Sequence, residues 1–114
     1  MTRRAVDVQV WAGDFASQQL AFAHLLDCAD RAGAALDLDR VEVVPAGDRA
    51  RLAHVLGDRA GAVMRAAAAR NTLVLLVGGG APFGATERLD DLGLHPGSVP
   101  VPGSGPGSGP EREA

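Results

Sequence analysis

Lysine, isoleucine and tyrosine are absent from this chain of 114 residues, and all eleven of its basic residues are arginine. Without lysine the chain can hold neither a Schiff-base lysine nor the lysine of a phosphate-binding loop. A single cysteine, Cys28, excludes an internal disulfide and any Cys-x-x-Cys redox or zinc motif. These absences remove several common covalent, redox and metal chemistries before any motif is considered.

The charge and hydropathy patterns exclude further classes. The formal net charge is −3 and the pI about 5.5, so the chain has no overall positive field to hold nucleic acid. The N-terminal stretch MTRRAVDVQVW lacks the apolar core of a secretory signal, and no apolar run approaches the roughly 20 residues that span a bilayer. With the lone cysteine, these patterns predict a cytoplasmic protein that uses neither membrane nor nucleic acid.

The order of hydrophobic patterns predicts an α/β fold. Alternation predicts strands over residues 5–11 and 36–44, the second with a bulge or a late start, and a stretch apolar on both faces predicts a central strand over residues 72–77. Helical spacing predicts helices over residues 17–32, 49–70 (broken near Gly57) and 86–92. Asp14 or Ser17 can cap the start of the first helix and Gly33 follows its end, while Thr86 is the N-cap of the last. The result is a small β-α-β-α-β(-β)-α sandwich with right-handed crossovers.

The C-terminal segment has a different composition. From residue 96 onward the chain reads PGSVPVPGSGPGSGPEREA, in which two valines are the only sizeable apolar side chains. Such a segment buries too little surface to offset the entropy of ordering it. We expect a single domain over residues 1–95 and a flexible Gly/Pro/Ser-rich tail over residues 96–114.

The stretch TLVLLVGGGAPFGAT resembles a strand that runs into a phosphate-binding loop. The glycines at 79 and 84 have the spacing of the loop G-x-x-x-x-G-K-[ST], but alanine occupies the lysine position and Pro82 removes one backbone N–H. The dinucleotide pattern fits Gly78 and Gly80 and fails at Phe83. Two hypotheses remain: a tight turn after a central strand, or a phosphate site that uses Gly78, Gly79, Gly80, Gly84 and Thr86.

The nucleophilic and metal-binding residue types form no evident constellation. Cys28 lies between Asp27 and Asp30, whose charges oppose a reactive thiolate, so a packed structural thiol is favoured. The three histidines lie on different elements without the spacing of helical metal ligands, which favours solvated or locally bonded side chains: His24, His54 and His95. We therefore expect no catalytic residue, no metal and no cofactor.

Aromatic residues suggest a contact surface. Trp11 ends the first strand on its more polar side, and Asp14 and Phe15 follow in the turn before the first helix. An exposed aromatic side chain at a strand end is a plausible contact residue, whereas packing beneath the helix is the alternative. With Phe83 of the glycine-rich loop, these residues form the predicted partner-binding surface, at one end of the sheet.

The pattern VQVWAGDFASQQLAFAHLLDCADRAGA, LDRVEVV, NTLVLLVGGG and FGATERLDDLGL resembles a thioredoxin-like fold and is loosely similar to the KaiB-type circadian clock proteins. The resemblance covers residues 5–94. The Cys-x-x-Cys of thioredoxins is replaced by Gly-Asp-Phe-Ala-Ser over residues 13–17, so what the resemblance implies is a non-catalytic role. Universal stress proteins, which bind ATP phosphates at a glycine-rich turn, are a weaker resemblance.

These observations predict a non-catalytic regulatory or adaptor domain that binds another protein or a second copy of itself. Two alternatives remain open. One is a nucleotide- or phosphate-binding domain that uses the loop from Gly78 to Gly84. The other is a structural component of a larger assembly, tethered by the C-terminal tail.

Overall fold

A computed structural model describes residues 3–45, 47–78 and 83–100 of the chain. Within these residues the fold has four strands and three helices, with 3₁₀ turns at Leu38–Arg40 and Gly57–Arg59. In chain order they are β1 (Arg3–Gly13), α1 (Gln18–Arg31), β2 (Val41–Pro45), α2 (Arg49–Leu56), α3 (Ala60–Ala66), β3 (Thr72–Val77) and β4 (Leu89–Pro100).

The strands form one sheet in the order β2-β3-β1-β4, in which every neighbouring pair is antiparallel. β3 is buried on both faces, which confirms the central position predicted for TLVLLV. The mixed α/β class is also confirmed. β1 and β2, which are joined through α1, run in the same direction with β3 between them, so the parallel strands of this crossover are not neighbours, and its right-handedness stays a prediction.

The helix predicted over residues 86–92 is wrong, because this segment leads into β4. The hydroxyl of Thr86 accepts hydrogen bonds from the N–H groups of Arg88 and Leu89, as an N-cap does, but the turn ends after one step. From Leu89 the chain pairs with β1, and Gly93, with φ of +85°, lies beside a register shift at Val10 and Trp11. Thr86 does cap this turn as predicted, but pairing with β1 continues the chain as a strand and not as a helix.

The boundary predicted at residue 96 is also wrong. Residues 96–100 belong to β4, where Pro96 lies opposite Asp7 and Pro100 opposite Arg3. The five additional residues are held by pairing with β1, which a composition argument cannot detect. The rest of the predicted tail, residues 101–114, lies outside the described residues.

Four other sequence predictions are confirmed in the helices and β2. Helix α1 begins after Ser17, whose hydroxyl accepts a hydrogen bond from the Leu20 N–H at 3.2 Å, and Gly33 follows its end with φ of +69°. β2 starts late, after the 3₁₀ turn, and the expected break near Gly57 is present as a residue with φ of +54°. The third helical stretch ends at Ala66, earlier than the predicted residue 70.

The two faces of the sheet bury different side chains. Helices α2 and α3 cover one face, where the buried cluster is aliphatic: Val8, Val10, Ala12, Val44, Leu52, Val55, Leu56, Ala60, Val63, Ala67, Leu73 and Leu75. Helix α1 covers the other face, where the cluster contains two aromatic residues: Trp11, Phe15, Ala21, Leu25, Val43, Val74, Leu76 and Leu89.

The outer edge of β4 is open within the described residues, but its prolines limit pairing. The Gly78 N–H donates to the Asp7 carbonyl, so the backbone of Asp7 faces β3. In an antiparallel pair, a residue whose backbone faces away from the neighbouring strand lies opposite a residue whose backbone also faces away. Pro96, which lies opposite Asp7, therefore directs its backbone to the open edge. Pro100 does the same. Neither has an N–H to donate, so strand addition along this edge is disfavoured.

Candidate functional site

A cleft of about 320 Å³ lies between α1 and the segment that leads into β4. We call it the α1 cleft. Its volume is at the low end of the range of about 300–1,000 Å³ found for small-molecule pockets. It is therefore large enough for one or two side chains or a small organic molecule. The lining residues are Cys28, Arg31, Ala32, Phe83, Ala85, Thr86 and Glu87.

Helical spacing places three functional side chains of α1 on this side of the helix. His24 and Cys28 are four residues apart and Arg31 follows three residues later, so all three lie along one stripe. The Cys28 sulfur is 3.4 Å from Nε2 of His24, and Nη2 of Arg31 lies 3.7 Å from the same sulfur. The helix therefore brings a thiol, an imidazole and a guanidinium into contact.

The turn at Thr86 completes the arrangement from the opposite wall. Oγ1 of Thr86 lies 3.0 Å from Nε2 of His24. Because this oxygen already accepts two backbone N–H groups, the proton of its own hydroxyl is the group left to donate to the imidazole. We assign Nε2 as the unprotonated nitrogen, whose single lone pair is shared between the Thr86 hydroxyl and the Cys28 thiol.

The surroundings of His24 favour its neutral form. Burial lowers its pKa below the ordinary 6.5, and the cations of Arg88 and Arg31 lower it further. The carboxylates of Glu87 and Asp27 act in the opposite direction with smaller effect. At neutral pH, His24 is therefore a free base.

The structure revises the interpretation of Cys28. The thiol is buried, with 5% of the residue exposed, as predicted for a packed cysteine. Its polar neighbours, however, are His24 and Arg31 and not the two aspartates beside it in the sequence. Asp27 instead forms an ion pair with Arg31 at 3.0 Å, so its charge is directed at the guanidinium.

Three of the four predicted partner-binding residues form an aromatic group around the cleft. Phe83 is half-buried, lines the cleft and stacks on Trp11, with ring centroids 5.0 Å apart. Phe15 contacts the ring of His24, with centroids 5.6 Å apart, and the Arg88 guanidinium lies 4.5 Å from its centroid. Trp11 and Phe15 are buried, so they support the cleft from behind and are not exposed contact residues.

Asp14, the fourth predicted residue, is exposed but fully engaged. Its carboxylate pairs with Arg70 at 2.9 Å and accepts the Asn71 N–H at 3.0 Å. The Arg70 bond and then the Asn71 bond lower the pKa of Asp14 below its ordinary 3.8. Because Arg70 also pairs with Asp90, this network ties the start of α1 to β3 and β4. Asp14 therefore helps to fix the start of α1 relative to the sheet.

The two ends of the glycine-rich loop, predicted to lie together beside the partner-binding residues, lie apart: Phe83 stacks on Trp11, whereas Gly78 lies near the other end of β1. Since β3 is antiparallel to β1, Gly78 lies beside Asp7, near the start of β1, whereas Thr86 leads to Leu89 opposite Gly13. The two ends of this stretch of β1 are about 20 Å apart at ~3.4 Å per residue.

The described residues of the predicted phosphate site do not support phosphate binding. Gly78 has φ of +99°, which fits the simple turn. Gly84 is exposed beside the Asp91 carboxylate, and Thr86 is occupied by His24 and two backbone groups. A strand follows the loop, so no helix N-terminus meets a phosphate there. Gly79 and Gly80 lie outside the described residues.

In the described ranges, no group of three or more histidine, cysteine, aspartate or glutamate side chains is placed to hold a metal ion. None of the helices in those ranges has the length and apolarity to cross a membrane. His95, predicted in a loop, lies in β4 and bonds locally through Nε2 to the Leu92 carbonyl at 2.8 Å.

Sequence reasoning missed the pairing of His24 with Cys28. The available signal was their four-residue spacing on one predicted helix, a spacing that brings two side chains together whether or not both are histidines. Thr86 and Glu87 could not have been found in this way. They reach the cleft through the pairing of β4 with β1, a contact between segments far apart in the chain.

Comparison with known proteins gives no match: no family model fits the chain, and neither a curated protein nor a solved structure shows significant similarity to it.

Proposed function

We propose that this chain is a small, non-catalytic domain of thioredoxin-like type that binds another protein through the α1 cleft. The observation that carries the proposal is the position of Phe83, which is half-buried, lines the cleft and stacks on the buried Trp11. An aromatic side chain that lines a small cavity and stacks on a buried tryptophan is typical of the residues that dominate the energetics of protein interfaces.

The surrounding charges indicate what a partner would present. Arg31 and Glu87 flank the apolar wall formed by Phe83, so the cleft has an apolar centre and a polar rim. We infer that the partner inserts one apolar or aromatic side chain against Phe83 and places polar groups at the rim. Recognition by strand addition at the β4 edge is less favourable, because prolines face that edge.

The thioredoxin-like and KaiB-like assignment is part of this proposal and is supported by the order of elements from β1 to β3. The all-antiparallel arrangement of neighbouring strands departs from the mixed sheet expected for such a fold. The regulatory or adaptor role follows from the same resemblance. The role in a tail-tethered assembly remains a prediction, because residues 101–114 lie outside the described ranges.

The test compares two phenylalanines. Phe83→Ala removes the wall of the cleft, whereas Phe22→Ala removes a half-buried ring that packs against the same core without lining the cleft. We expect Phe83→Ala to reduce capture of the partner from an extract of the producing cells by about 30-fold, the effect of an interface hot spot of ~2 kcal/mol. Phe22→Ala should retain capture. A wild-type chain that stays a monomer and captures nothing would contradict the proposal.

A further inference from the structure

We propose that Cys28 is a nucleophilic thiol, activated by His24, that takes small α,β-unsaturated carbonyl compounds in the α1 cleft as covalent adducts. This site shares the cleft with the proposed function but requires no protein partner. Purified protein alone therefore tests it, and its failure would leave partner binding unaffected.

The geometry supplies a base at the thiol. Sγ of Cys28 lies 3.4 Å from Nε2 of His24, and the hydrogen bond from Thr86 leaves this nitrogen without a proton of its own. Burial and nearby arginines lower the pKa of His24, which keeps the base free at neutral pH. The charged groups that face His24 come from both walls of the cleft: Asp27, Arg31, Glu87 and Arg88.

The geometry also supplies a cation and a space for the electrophile. Nη2 of Arg31 lies 3.7 Å from the sulfur, where a guanidinium compensates the negative charge that develops as the thiol loses its proton. Cys28 is 5% exposed, and the cleft of about 320 Å³ is the route by which a molecule reaches it. Phe83 gives this space an apolar wall that suits a small, uncharged electrophile.

The reaction balances without an oxidant or a second substrate. The hydroxyl of Thr86 releases its hydrogen bond to Nε2 of His24, the thiol proton moves from Sγ of Cys28 to this nitrogen, and the sulfur electron pair forms a bond to the β-carbon. The electrons of the carbon–carbon double bond move toward the carbonyl oxygen to give an enolate. The proton then returns from His24 to the α-carbon, so the product is a thioether and the imidazole is neutral again.

The sequence makes the measurement unambiguous. Cys28 is the only cysteine and the chain has no lysine, so one mass increment reports one site with little competition from amines. The probe is N-ethylmaleimide, and the readout is the second-order rate of adduct formation near neutral pH, by mass spectrometry. We expect the native chain to react faster than the same chain unfolded in urea. A buried structural thiol would react more slowly when native, and that result would overturn the proposal.

Matched variants test the assigned roles. His24→Gln keeps a group able to hydrogen-bond Thr86 but removes the base, and we expect the rate to fall at least about tenfold, within the effect of a positioned base. His54→Gln, at an exposed position of α2, should leave the rate unchanged. Arg31→Gln should lower it by about threefold because the guanidinium is partly screened by solvent, whereas Arg59→Gln should not. Circular dichroism checks that each variant is folded.

A native rate unaffected by both His24→Gln and His24→Ala would overturn the role of the imidazole, and with it the proposal. Cys28→Ser must give no adduct. An adduct that forms on Cys28→Ser would show that the probe reacts elsewhere in the chain and would also contradict the assignment.

Discussion

On the α2–α3 side of the sheet, the buried cluster consists of valine, leucine and alanine, whereas on the α1 side it includes Trp11 and Phe15 and adjoins His24 and Cys28. Both faces are well buried, so both contribute to stability. Only the α1 face places a base, a thiol and a cation around a cleft. The comparison indicates that one helical layer chiefly stabilises the sheet while the other carries the site.

The largest predicted effect is the loss of stability when one buried leucine on each face is shortened to alanine. Leu52 on the α2 side and Leu25 on the α1 side are both fully buried. We expect either change to alanine to lower the free energy of unfolding by about 2–5 kcal/mol, measured by urea denaturation. Only Leu25→Ala should also change the rate of Cys28 with N-ethylmaleimide. Equal changes in rate for the two variants would remove the distinction between the faces.

A smaller effect is expected at two glycines where a methyl group does not fit. A Cβ on Gly13 would lie 2.5 Å from the Arg88 carbonyl, in the turn that carries Thr86, and one on Gly97 would lie 2.8 Å from the Val55 carbonyl of α2. In both cases the contact is with backbone, so the structure must shift, and we expect each alanine variant to lose about 1–3 kcal/mol.

The two glycine variants should differ in the chemistry of the cleft. Gly13→Ala displaces the wall opposite α1 and should change the Cys28 rate, while Gly97→Ala should leave it at the wild-type value. If Gly97→Ala alters the rate as strongly as Gly13→Ala, then α2 and the cleft are coupled and the two faces are not independent.

The smallest effect is a pH dependence that belongs to the α1 face alone. His24 has a folded-state pKa below 6.5, so the unfolded chain binds its proton first as the pH falls. The stability that this residue contributes is present above pH 6.5 and is lost as the pH falls toward the folded-state pKa. Urea denaturation at about pH 7.5 and about pH 5 should show a smaller loss of stability in His24→Gln than in wild type.

Local pattern predicted much of this fold, and long-range pairing accounts for the rest. The central strand β3 was evident because its side chains are apolar on both faces, and α1 was evident from its apolar stripe and the capping residue Ser17. The start of β4 was mistaken for a helix because Thr86 gives the same local signal at an N-cap and in an isolated turn. Its pairing with β1, more than 75 residues away along the chain, produces no periodic sequence pattern at the turn itself.

The candidate site was also predicted only in part. Trp11, Phe15 and Phe83 do gather around the cleft, but as a supporting group in which two are buried. The neighbours of Cys28 in the sequence suggested a thiol beside two carboxylates, because sequence adjacency ignores the direction of helical side chains. Positions four residues apart, such as His24 and Cys28, are the ones that meet.

The most direct test of the central claim, that the α1 cleft is the recognition site, uses the cysteine to block it. Wild-type protein is alkylated at Cys28 with N-ethylmaleimide, checked for an unchanged thermal transition, and compared with Cys28→Ser treated in the same way for capture of the partner. We predict that the alkylated wild type loses capture while treated Cys28→Ser retains it. Full capture by the folded, fully alkylated wild type would contradict the account.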